Sequence, residues 1–76
     1  MNNKGRAELT NIKSALEAAR GRLETVLNDE QMKFDNLTEG LQATMRGSAM
    51  EEAIENMNSA VEAIDEAISY IEDASM

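Results

Sequence analysis

The chain of 76 residues has no Cys, no His, no Trp and no Pro, and it carries a single Phe and a single Tyr. Without thiolate or imidazole there is no zinc site of the usual kind, no Cys or His nucleophile and no histidine general base. Without Cys there is also no disulfide-built secreted scaffold. No apolar run approaches the roughly 18 residues that a membrane span needs, and the opening Met-Asn-Asn-Lys-Gly-Arg lacks the hydrophobic segment of a signal peptide. The expectation is a soluble, intracellular protein. A chain this short buries only about 60% of its unfolded surface, which makes self-association the default expectation.

What the sequence does have is acid. The net charge is −8, unevenly spread. Residues 1–22 hold five cations (Lys4, Arg6, Lys13, Arg20, Arg22) against Glu8 and Glu17, a net +3; residues 23–76 hold Lys33 and Arg46 against thirteen acids, a net −11. A surface negative over most of its length repels phosphate, so general DNA or RNA binding is disfavoured.

From Gly47 onward there are eight acids and no cation, and an apolar ladder runs through Met50, Ile54, Met57, Val61, Ile64, Ile68 and Ile71. Its alternating steps of four and three place every rung on one seam of an α-helix. Leu9, Ile12, Leu16, Ala19, Leu23 and Val26 form a similar ladder earlier in the chain. Glu30 and Lys33 occupy its next two positions, while Leu27, Phe34 and Leu37 lie on a shifted face, so this seam is expected to fail between about 30 and 36. Asp35, Asn36 and Thr38 are turn and cap formers, and Leu37 with Leu41 suits one inner helical turn. Arg46-Gly47 reads as a break, and Ser48 three residues before Glu51 reads as a capping box. The expected elements are a helix over about 4–33, a connection over about 34–47 and a second helix over about 48–75.

Two such helices predict an all-α antiparallel hairpin in a single domain. That packing brings Lys4, Arg6 and Lys13 near Glu66, Glu72 and Asp73, although each exposed pair adds only about 0–1 kcal/mol. Ala53, Ala60, Ala67 and Ala74 recur every seven residues beside the main seam. Such a flank admits a second neighbour or simply fills a boundary with a good helix former. The preferred reading is a homodimer forming a four-helix bundle, with Ala53, Ala60, Ala67 and the outward Tyr70 as its oligomer seam.

Candidate contacts fall into two groups. Glu55, Glu62 and Glu66 belong to the acidic face; Glu51 with Glu55, and Glu62 with Glu66, stand one turn apart, a spacing that permits shared metal binding but is ordinary on a solvated helix. No calcium-loop pattern and no Glu-x-x-His pair is present, so no metal or cofactor is implied. An acidic helix of this kind also suits mimicry of phosphates in another protein's groove. Near the connection, Lys33, Phe34, Asn36, Gln42 and Arg46 collect with Met32, Met45, Met50 and Met57. Methionines fill irregular gaps or make an adaptable recognition patch. Lys33 and Arg46 either pair locally or, in a dimer, converge on a small anion such as a nucleotide phosphate held between protomers, with Arg as a bidentate fork.

The stretch Asp29-Glu30-Gln31-Met32-Lys33-Phe34-Asp35-Asn36-Leu37, followed by Leu41-Gln42, Arg46-Gly47 and Met50-Glu51-Glu52-Ala53-Ile54, resembles small acidic proteins of bacterial phages and prophages. Thr38 stands where that group often has Pro, losing a fixed backbone angle but keeping a helix-start role. The resemblance covers most of the chain from about residue 20. It implies a helical hairpin and a setting in the cytoplasm of an infected or lysogenic host, and it carries no activity.

The functional expectation is a non-enzymatic accessory protein that binds a protein partner from host or phage through its acidic face and hairpin tip. The alternatives are an oligomeric sponge for a small anionic nucleotide and a structural phage component. Nothing places two carboxylates in a dry cleft, which argues against an enzyme.

Overall fold

The computed structural model describes all 76 residues. It is all-helical: α1 spans Asn3–Asp35, α2 spans Glu39–Gln42 and α3 spans Met45–Ala74. The two long helices lie side by side in a rod of 58 × 15 × 13 Å. Lys13 reaches Glu72 at 3.1 Å, and Arg20 donates to Asp65 at 3.0 Å. Early α1 thus meets late α3, and the seven-residue interval between these bridges is the same on both helices.

α3 buries the ladder read from the sequence. Ile54 is 6% exposed and Ile68 9%, and Met50, Met57, Val61, Ile64 and Ile71 are half-buried along the same line. α1 differs from its expected seam. Its inward line is Leu9, Lys13, Leu16, Arg20, Leu23, Leu27, Glu30 and Phe34, all half-buried, while Ile12, Ala19 and Val26 face outward. The three leucines serve either line; the choice turns on Lys13 and Arg20. Their long aliphatic stems cover the seam while their charged ends emerge at its edge. Lys13 bridges Glu72 and Glu17 there, and Arg20 bridges Asp65 and Glu24. The face that looked shifted after residue 26 is therefore the packing face throughout, and α1 continues to Asp35 without the expected failure at 30–36.

The helix ends follow local chemistry. Asn2 caps α1, its side-chain oxygen accepting from the Gly5 N–H at 2.8 Å. Thr38 caps α2 by accepting from Leu41 N–H. α3 starts earlier than expected, at Met45, because Thr44 accepts from Gly47 N–H and serves as its cap. Ser48 lies inside the helix, and Arg46-Gly47 is its first turn, not a break.

The Lys13 pKa is raised, first by its hydrogen bond to Glu72 and then by the charge of that carboxylate. The folded state thus holds this proton more tightly than the unfolded chain. Its stabilisation is present in full below about pH 10.4 and is lost as pH rises through the raised folded value. Thermal melts on the alkaline side of that limit should show the wild-type midpoint falling more steeply than that of Lys13→Met; parallel declines would remove this bridge from the account.

Candidate functional site

The end of the rod that carries the connection is built around one unusually close contact. The N-terminus of α3 presses Gly47, a buried residue, against the last carbonyls of α2. A Cβ placed on Gly47 would lie 2.7 Å from the Leu41 carbonyl oxygen and 2.6 Å from the Gln42 carbonyl carbon, with the Gln42 oxygen closer still. No residue in the chain has positive φ, so glycine is needed here for space and not for backbone conformation. Thr44 strengthens the same junction: its hydroxyl donates to the Leu41 carbonyl at 2.6 Å while accepting from Gly47. Gln42 ties α2 back to α1, its amide donating to the carbonyls of Phe34 at 3.1 Å and Leu37 at 3.2 Å.

These contacts hold open a groove of about 380 Å³ lined by Glu30, Lys33, Leu37, Leu41, Thr44, Arg46 and Met50. Lys33 and Arg46, separated by thirteen positions in sequence, are thereby brought to one surface. Lys33 makes a long 3.8 Å contact with Glu30, whereas Arg46 has no ion-pair partner. The groove combines two cations and one carboxylate with the apolar walls of Leu37, Leu41 and Met50. Its size falls within the range of small-ligand pockets.

The remaining candidates are distributed elsewhere. Phe34 is half-buried in the helix-pair seam, and Asn36 is the exposed residue that ends α1, its backbone N–H returning to Met32. Gln42 spends its amide on the latch. A scan against protein-family models finds no match, and comparisons with curated proteins and with solved structures return none.

Glu55, Glu62 and Glu66 are exposed on the outer side of α3, and none forms a salt bridge. No group of three or more acids converges closely enough to hold a metal ion. Ala60 and Ala67 are half-buried beside the seam, Ala53 is exposed, and Tyr70 is 66% exposed. On α1 the same side of the pair presents Ile12 at 41% and Val26 at 55% exposure. Residue spacing alone places those two residues in the interior of the pair. The signal that could have placed them outside was the acidic edge of α3 at Asp65 and Glu72, which draws Lys13 and Arg20 toward it. No helix is long and apolar enough to cross a membrane.

Proposed function

We propose that this chain is a non-enzymatic, phage-type accessory protein that works as a homo-oligomeric binding module, most simply a dimer of helical hairpins in a four-helix bundle. One observation carries the reading: the helix pair segregates its surface. One edge holds the inter-helix ion pairs of Lys13 and Arg20, while the outer side of α3 shows unpaired carboxylates at Glu55, Glu62 and Glu66. The opposite flank exposes the apolar Ile12 and Val26 of α1 beside the alanines of α3. An apolar flank suits self-association, and a one-signed outer face steers and selects a complementary protein. The partner surface is then basic, contacted by the acidic face and the hairpin tip.

The test is capture from a bacterial lysate by the immobilised chain and by its Glu62→Lys, Glu66→Lys double variant. A protein retained by the wild type and lost by the variant, with helicity unchanged, supports the reading. Equal retention by both would remove the acidic face from it.

The groove supports a second reading, sequestration of a small anionic nucleotide. Lys33 and Arg46 share that groove, and an arginine fork with a neighbouring ammonium recognises phosphate. Lys33→Ala combined with Arg46→Ala should abolish nucleotide retention in equilibrium dialysis; retention by the double variant would end this reading.

A further inference from the structure

We infer that the apolar flank docks a second copy of this chain in antiparallel orientation, with a two-fold axis passing beside Ala19, so that α1 packs on the partner's α1 and α3 on its α3. The inference rests on the self-association proposed above and specifies its surface and direction. Three observations carry it.

The first is area. The chain exposes 5611 Å², whereas a compact monomer of 8.4 kDa exposes about 4,600 Å². Covering that excess of about 1,000 Å² on each of two copies removes about 2,000 Å², the scale of a stable dimer interface.

The second is register. Ile12, Ala19 and Val26 are spaced by seven residues on one flank of α1, and Ala60 and Ala67 repeat that spacing on the adjoining flank of α3. The bridges Lys13–Glu72 and Arg20–Asp65 fix the level of each residue along the rod. An axis at Ala19 then sets Ile12 against the second copy's Val26 and the ring of Tyr70 over the small side chains at Ala60 and Ala63. Large exposed residues thus meet either each other or a row of alanines, which is how complementary helix surfaces interlock.

The third is charge. α1 is polarised, with a net +3 over residues 1–22 and a net −3 over residues 23–35, where Glu24, Asp29, Glu30 and Asp35 outweigh Lys33. Antiparallel α1 helices match opposite halves. The other two-fold arrangement, with both connections at one end, would place residues 29–55 of the two copies together, and each such segment has seven carboxylates against Lys33 and Arg46. Like charge at that density opposes the tip-together dimer.

The absence of native Cys makes the test clean. A single Ala19→Cys variant treated with a short bismaleimide should convert largely to covalent dimer. Ile12→Cys and Val26→Cys should each remain uncoupled alone and couple when mixed, helicity being checked by circular dichroism. A dimeric mass without coupling at Ala19, or coupling of Val26→Cys with Ala60→Cys instead, would overturn this arrangement and leave self-association standing. A folded monomer by sedimentation would overturn both.

Discussion

Gly47→Ala should cost about 2–4 kcal/mol, the scale of overpacking against atoms that cannot step aside. The atoms facing the new methyl are backbone carbonyls of Leu41 and Gln42, held in place from the other side by the Thr44 and Gln42 hydrogen bonds. To make room, α2 must lift from α3, which breaks the Thr44 cap and opens the groove. For a domain of this size such a loss lowers the melting midpoint by about 8–30 °C. Gly21 is the internal control. Nothing lies within 4 Å of a Cβ there, so Gly21→Ala removes a flexible helical glycine and should gain about 1 kcal/mol. Thermal melts of the two variants must move in opposite directions; equal shifts would show that the junction does not depend on the missing side chain.

Ile68→Ala should be nearly as damaging, at about 2–4 kcal/mol by denaturant titration with an unchanged slope. Ile54 and Ile68 are the most buried apolar residues, so removing either takes a large share of what holds α1 against α3. The comparison with Ile12→Ala is the informative part. Within one helix pair Ile12 is 41% exposed, and its truncation should cost well under the Ile68 value at concentrations where the chain is monomeric. If Ile12→Ala were the costlier change under those conditions, α1 would be packing through the line Ile12, Ala19 and Val26, and the structure of the pair would be wrong.

Much of this fold can be read from residue spacing, and the departures have definite physical causes. The α3 ladder is unambiguous because every seam position is apolar and its neighbours, Tyr70 apart, are acids, amides, serine or alanine, which leaves one way to bury it. α1 offers two lines that share Leu9, Leu16 and Leu23. Hydrophobicity ranks Ile12 and Val26 above Lys13 and Arg20, but it takes no account of stem length or of where the countercharges Glu72 and Asp65 lie. The start of α3 is a contest between two hydroxyl caps, Thr44 and Ser48. Glycine taken as a breaker favours Ser48; the role of Gly47 is steric, a contact between segments that no local pattern reveals. At the candidate site, Lys33 and Arg46 stand out as the only cations after residue 22, and the fold brings them together. The engagement of Gln42 with Phe34 and Leu37 depends on the path of α2 and has no signature in spacing.

Sedimentation equilibrium of the purified chain at micromolar concentration separates a dimer from a lone helix pair. The expected result is a folded, helical species of twice 8.4 kDa that dissociates when Ile12 and Val26 are both replaced by glutamate. A folded species of 8.4 kDa at that concentration, unchanged by those substitutions, would contradict it.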